Sequence, residues 1–311
     1  MLSQALESLT RQETAEQFAF EVLVIDDAST DNTYSVVKRA AALHKVAIRY
    51  ILADGRGVAA ARNRGIVESS GEWLGFFDDD QIAEPTWLKE LFLFAKTSGA
   101  QIVGGARFLL LSKEELSAIS PICRRVLGEI NPKYLCGKSQ QWVYLGTGNV
   151  LIRKDVIVTL GGFEVSHEFR GEDTEFLERA RLAGFAAGIT PKAVVHHEVP
   201  AYRLEERYML WASLNDGIGF AFRDSRRWSI SGLFLVSIAR AGQAILINGP
   251  LYVYARLFGN KREMVGRKCL LYRAAGYMLK VLSLCMPRLF PVKRFLSMLQ
   301  FRRERDIFKK Q

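Results

Sequence analysis

The run Glu72-Trp73-Leu74-Gly75-Phe76-Phe77-Asp78-Asp79-Asp80 constrains this chain more than any other. Trp73 to Phe77 is a short apolar, aromatic stretch behind Gly71, which reads as a buried strand. It ends in three carboxylates. Helix chemistry follows: Pro85 suits a first helical turn, and Trp87, Leu88, Leu91, Phe92 and Phe94 recur at helical spacing. Strand, loop and helix make one step of an open α/β sheet, in which ligands bind outside the carboxyl ends of the strands. Three acids crowded there cannot all stay charged and unpaired at low cost. The triplet is either a solvated turn or a cation site, and a hard divalent metal with oxygen ligands is the natural cation.

The same rhythm runs through the first third of the chain. Residues 2–12 are patterned as a helix by Leu2, Ala5, Leu6 and Leu9. Phe20 to Ile25 reads as a strand that runs into Asp26-Asp27-Ala28-Ser29-Thr30-Asp31-Asn32, with N-caps for a helix over 33–44. Val46 to Leu52 is the next strand. Gly55-Arg56-Gly57 turns into a helix carrying Arg62, Asn63 and Arg64, and a strand at Gln101 to Gly105 follows the Pro85 helix. Strands alternating with helices across short links predict a parallel sheet with right-handed crossovers. Residues 106–141 lose the rhythm: a helix is expected near 113–128 and an irregular loop around Asn131-Pro132 and Gly137. Trp142 to Ile152 returns to strand character, broken by Gly146-Thr147-Gly148-Asn149, where glycines mark close approach of a ligand or backbone. Gly171-Glu172-Asp173-Thr174-Glu175 opens a helix whose acids also complement the helix dipole.

Four blocks now stand in order: Val24-Ile25-Asp26-Asp27-Ala28-Ser29, Gly57 to Gly65 with Ala61-Arg62-Asn63, Phe76-Phe77-Asp78-Asp79-Asp80, and Gly162-Phe163 followed by Gly171-Glu172-Asp173. Together they resemble the family 2 glycosyltransferases of the GT-A fold, over about residues 2–200. The resemblance implies an open, mostly parallel Rossmann-like sheet with helices on both faces. It implies inverting transfer of a sugar from a nucleotide-diphosphate donor to a hydroxyl of a glycan, polysaccharide or lipid-linked acceptor. Asp26 would contact the nucleobase, with Asp27, Arg62, Asn63, Asp78 and Asp79 on the donor side. Asp78 and Asp80 would hold the ribose and a divalent Mg²⁺ or Mn²⁺ on the diphosphate. Asp173 would be the general base, with Gly148, Asn149 and Glu172 on the acceptor side. His196 sits where many GT-A enzymes carry a late histidine near the metal, although His197 beside it fits as well. The chemistry is coherent: a metal neutralises the leaving diphosphate, and a carboxylate takes the acceptor proton.

Two departures stand out. The family begins with a strand just before the helix that matches residues 2–12. Without it, two neighbours would lose ladder partners and a trough would open in the core, so Met1 is expected to be a miscalled start or a truncation. Ala28 replaces the usual glycine and is expected to impose an ordinary backbone there.

Beyond about residue 200 the resemblance fades, and the charge changes sign. Residues 201–311 hold 21 Lys and Arg against 7 Asp and Glu, a net +14, which leaves −4 for residues 1–200 out of the total of +10. Residues 230–247 are apolar but carry Arg240, and 270–286 carry Arg273 and Lys280. A central Arg is costly in a span, so both are expected to be amphipathic helices lying on an anionic membrane surface. The expected organisation is a catalytic domain over 1–200 and a basic helical region over 201–311, peripheral on the cytoplasmic face. Four scattered cysteines without CxxC spacing exclude a zinc ribbon and a disulfide scaffold. The absence of GxGxxG after the first strand disfavours a dinucleotide dehydrogenase. Gln81 after the acids disfavours an Asp-x-Asp phosphatase, and no nucleic-acid motif accompanies the basic tail. The rival from another class is a non-catalytic nucleotide-sugar-binding or scaffold protein.

Overall fold

A computed structural model describes residues 1–131, 142, 145–165 and 171–290; the expected loop over 132–141 lies outside them. The chain divides into two compact units, 1–110 with 129–198 and 111–128 with 199–311.

The first unit opens with α1 (Leu2–Thr10), which buries Ala5 and Leu6 of its apolar stripe. Leu6 packs with Val22 of β1 (Glu21–Asp26) and Val37 of α2 (Thr33–Leu43). β2 (Ala47–Leu52) returns parallel to β1, with Val22 opposite Ile48 and Asp26 opposite Leu52. α3 (Val58–Glu68) then leads to β3 (Trp73–Phe77), the strand legible in the sequence. β4 (Gln81–Ala83), α4 (Trp87–Ser98) and β5 (Ile102–Leu110) follow. Next come α5 (Lys113–Ala118) and α6 (Pro121–Val126), both of the second unit. β6 (Asn149–Arg153), α7 (Lys154–Leu160), α8 (Glu172–Leu182) and β7 (Ala187–Glu198) complete the first unit.

The larger sheet has the order β3-β6-β5-β7-β4. β5 and β7 are parallel, while β6 runs antiparallel to both β3 and β5, so β3, β5 and β7 share one direction. β4 is antiparallel to β7. The period of two distributes each strand over both faces. Ile102, Val150 and Ile152 pack with Ile157 of α7 and Phe176 of α8. Their neighbours Val103 and Leu151 pack with Trp87 and Leu91 of α4 on the other face. This is the expected α/β architecture with helices on both faces, with β6 and β4 as its antiparallel members.

β1 pairs with β2 alone and β3 lies at the sheet edge, so no strand among the described residues covers their other edges. A cavity of about 620 Å³ is lined by both strands and by Leu2, Leu6 and Leu9 of α1. It forms an open trough alongside both strands.

The second unit is helical. The single helix expected near 113–128 is two, because Pro121 cannot donate to an ongoing helix and Ser120 instead caps a new one through the Cys123 amide. α9 (Glu206–Ser225), α10 (Ile230–Gln243), α11 (Gly249–Leu257) and α12 (Lys261–Cys285) follow. α9 and α12 meet backbone to backbone: a Cβ on Gly217 would lie 2.0 Å from the Arg273 carbonyl oxygen, and one on Gly276 2.0 Å from that of Leu214.

Candidate active site

The site grows from the carboxyl end of β3. Asp78 is enclosed by Gln81, whose Nε2 donates to Asp78 Oδ2 at 3.4 Å, and by Arg107 of β5. Gly148 supplies the third wall: a Cβ there would come within 2.4 Å of Asp78 Oδ2 and 2.7 Å of both Arg107 Nη1 and Gln81 Nε2. Only glycine lets the backbone approach so closely. Gly148, expected on the acceptor side, therefore belongs to the carboxylate cluster. Burial pushes the Asp78 carboxyl up; Arg107 and Arg62 pull it back, and Asp80 and Asp173 push it further. Burial lowers the Arg107 guanidinium, against the pull of Asp78, Asp173 and Asp80. Three predicted acids are thus brought within electrostatic reach of one buried cation.

Asp173 sits in the first turn of α8, where its Oδ1 accepts from the Thr174 amide at 2.7 Å. Its other oxygen faces the same glycine loop, 3.4 Å from where a Gly146 Cβ would be. Glu172 is turned to Arg62 of α3 in an ion pair. Burial pushes the Glu172 carboxyl up, but Arg62 and the backbone amides outweigh it and hold it below the usual carboxylate range. Asn63 clasps the following turn, donating to the Phe163 carbonyl at 2.7 Å and accepting from its amide at 2.8 Å. Arg62 and Asn63 thus tie α3 to the segment leading into α8. That link explains why the Arg-Asn and Gly-Phe blocks occur together.

At the end of β1, Asp26 accepts from the Ser29 amide at 2.8 Å and from Tyr50 Oη at 2.6 Å. Burial pushes Asp26 up, but these donors prevail and hold it below its usual range, while the same bond pushes the Tyr50 phenol up to about 12. Asp27 Oδ2 accepts from the Gly57 amide at 2.8 Å, joining the strand end to the start of α3. Its Oδ1 is buried and accepts from no described residue. The expectation for Ala28 is corrected: its φ is +64°, the left-handed conformation a glycine takes freely. The bond from the Ser29 amide to Asp26 closes the turn and holds it there.

Strand register separates the two histidines. Gln81 pairs with His197 and Ile82 with His196, so the two rings leave opposite faces. His197 Nε2 lies 3.2 Å from Asp80 Oδ2, whereas His196 Nε2 lies 2.8 Å from Glu84 Oε1. The histidine beside the carboxylates is His197. Asn149, expected on the acceptor side, is instead a core pin. β5 and β7 slip register between Gly105 and Ala106, and the Asn149 amide donates to the stranded Ala106 and Ala193 carbonyls at 2.8 and 3.2 Å. Its oxygen accepts from Trp87 Nε1 at 2.8 Å.

A divalent ion fits part of this donor set. Two ligands at adjacent positions of an octahedral ion, each about 2.1 Å from it, lie about 3 Å apart, close to the spacing of Asp80 Oδ2 and His197 Nε2. No group of three metal-ligating side chains gathers among the described residues, so other ligands would come from substrate. Asp79 is placed in the turn beside Asp78 and lines the trough.

Sequence reasoning missed Arg107 and Tyr50, read Gln81 only as an argument against a phosphatase, and left His196 and His197 undivided. Arg107 carried a readable signal: a lone charge inside an apolar strand needs a buried acid.

A family profile described as Glycosyl transferase family 2 matches residues 1–131. Residues 1–131 of the chain are thus similar to glycosyltransferase family 2. It is 27% identical over 212 residues to the succinoglycan biosynthesis protein ExoM of Rhizobium meliloti, covering 65% of this chain and 64% of that one. It is 28% identical over 185 residues to glycosyltransferase AglE of Haloferax volcanii, covering 60% and 58%. The chain thus spans less than two thirds of the length of either relative. Its fold resembles the mannosyltransferase PcManGT of Pyrobaculum calidifontis, solved with GDP-Man and Mn²⁺, with a TM-score of 0.58 at 17% identity over 89% of this chain and 83% of that one. That likeness supports the GT-A fold.

Proposed function

We propose that the protein transfers a sugar, with inversion, from a nucleoside diphosphate sugar to a hydroxyl of a glycan, polysaccharide or lipid-linked acceptor. The observation that carries this reading is the convergence of Asp78, Asp80 and Asp173 around Arg107 and the glycine loop at Gly146 and Gly148. The buried acceptor at Asp27 Oδ1 suits a donor N–H of a nucleobase. A bound Mg²⁺ or Mn²⁺, held by Asp80 with His197, and by Asp78 if Arg107 yields it, would supply charge neutralisation for the departing diphosphate. The GDP-Man of the fold neighbour and the succinoglycan biosynthesis named for ExoM are precedents for donor and acceptor class.

The chain's own residues divide the remaining work. Asp26 and Asp27 fix the base end of the donor beside α3. Arg107 holds Asp78 in place and offsets its charge. Asp173 accepts the acceptor's hydroxyl proton as the new glycosidic bond forms on the face opposite the leaving group, which inverts the anomeric centre. Glu172, engaged with Arg62, positions the α8 turn that presents Asp173.

The test is nucleoside diphosphate release from a panel of UDP and GDP sugars, with saccharide acceptors and Mn²⁺, for wild type and Asp173→Asn. The variant is expected to lose transfer by at least about a hundredfold while still binding donor. Normal turnover by the variant would remove Asp173 as base. The trough beside β1 favours one rival, a nucleotide-sugar-binding protein without turnover. Donor binding by wild type with no transfer to any acceptor would select that rival.

A further inference from the structure

The helical run Ile230–Leu257 is long and apolar, and among the described residues little of it is buried. One narrow stripe faces inward: Leu233, Ser237, Ala244, Asn248 and Ala255 are buried. A π-helical turn over Ala244–Asn248 keeps that stripe continuous into α11. The opposite side is open, with Leu235 68%, Ile245 69%, Leu246 76%, Leu257 77% and Phe258 71% exposed. A patch of this kind marks an interaction surface.

Three observations identify what covers it. First, of the two charges in the run, Arg256 stands in its last turn and the central one, Arg240, is turned away from the patch. Arg240 Nη2 lies 3.6 Å from Asp224 Oδ2, and its guanidinium lies 4.4 Å from the centre of the Tyr277 ring. Tyr277 Oη donates to the same Asp224 oxygen at 3.0 Å. Second, no Asp or Glu occurs between Ser225 and Arg262, while exposed bases flank both ends, Arg226 and Arg227 before the run and Arg256, Lys261 and Arg262 at and after its end. Third, exposed aromatics stand near those ends, Trp228 at one and Tyr254 and Phe258 at the other. An apolar face rimmed by bases and aromatic rings matches a leaflet of acyl chains beneath anionic headgroups. A second copy of the chain would bring the same bases against one another. A bilayer span would have to carry Arg240 and its Asp224 partner into hydrocarbon or break the pair.

We propose that residues 228–258 are a monotopic membrane-insertion face. The run lies in the plane of one leaflet, with Leu235, Ile245, Leu246, Leu257 and Phe258 in the acyl region. The flanking bases sit at the headgroups and give a preference for anionic lipid. The proposal rests on this face alone and holds whether or not the protein transfers sugar.

Flotation of the full chain with phosphatidylcholine vesicles, with and without phosphatidylglycerol, tests it. Wild type should float with the anionic vesicles and release partly at high salt. Leu246→Asp and Leu257→Asp each change an exposed side chain and should leave the thermal midpoint unchanged while weakening flotation at least about tenfold. Arg256→Gln with Lys261→Gln and Arg262→Gln should abolish the anionic preference. Environment-sensitive dyes on cysteines introduced singly at 238, 246 and 257, in a background lacking Cys136 and Cys285 with Cys123 and Cys269 buried, should report a common depth. No flotation, flotation indifferent to Leu246→Asp, dyes at graded depths as in a span, or a solution dimer dissolved by Leu246→Asp would each overturn the proposal. Loss of transfer activity alone bears only on the sugar-transfer reading.

Discussion

Gly148→Ala tests whether the carboxylate cluster is as tight as its geometry implies. The added Cβ would stand 2.4 Å from Asp78 Oδ2 and 2.7 Å from Arg107 Nη1 and Gln81 Nε2. Carbon atoms at such positions essentially never come nearer than 3.0 Å, so the oxygen must retreat by 0.6 Å and both nitrogens by 0.3 Å. There is little room to do so, since Gln81 is 1% exposed. Forced overpacking of an interior costs about 1–3 kcal/mol. A misplacement approaching 1 Å in a catalytic constellation can cost about a hundredfold. Gly148→Ala should therefore lower stability to urea by about 1–3 kcal/mol. In calorimetric titration it should weaken Mn²⁺-dependent binding of UDP or GDP, whichever wild type binds, by roughly 10–100-fold. Gly75→Ala is the control, because a Cβ there meets nothing nearer than 3.6 Å, and it should leave nucleotide affinity unchanged. Full nucleotide affinity and unchanged stability in Gly148→Ala would refute the packing of Asp78, Arg107 and Gln81 around this glycine.

His197→Ala should weaken the Mn²⁺ dependence of nucleotide binding severalfold while His196→Ala leaves it intact; the reverse result in titrations with and without Mn²⁺ would return the metal role to His196. Ala28→Gly should raise stability by about 1 kcal/mol in urea denaturation, since the left-handed backbone costs an L-residue about that much. Glu172 has a folded pKa held below its unfolded value of about 4.3, so its stabilisation is present above about pH 4.3 and disappears as pH falls through the lower folded value. Wild type should therefore lose stability across that acidic window more steeply than Glu172→Gln, and parallel pH profiles for the two would show that the Arg62 pair contributes nothing.

What could be read from the sequence was local. β3 and its terminal acids were legible because an aromatic run bounded by Gly71 and three aspartates leaves few alternatives, α1 and α4 because their apolar spacing is helical, and α2 because cap residues precede it. Partner choice was not legible. Nothing in Val150, Leu151 and Ile152 says that they slot antiparallel between β3 and β5, because an apolar run pairs equally well in either direction. Asn149 read as a site residue for the same reason: its task is set by a register slip between two distant strands. The histidine ambiguity was a question of face, and alternation along β7 answers it only once the pairing of Gln81 with His197 is known. The break at Pro121 was written in the sequence and passed over.

The charges at the site set the condition for any donor. Asp78, Asp80 and Asp173 act on one another with Arg107 as the cation among them, while Arg62 is matched by Glu172. Among the described residues the acids of this cluster outnumber its cations, in a buried setting where Coulomb terms are strong. A nucleoside diphosphate brings at least two more negative charges to the same place. We propose that positive charge enters with the ligand, His197 beside Asp80 offering a divalent ion a second ligand at suitable spacing. Metal dependence is the expectation these charges support.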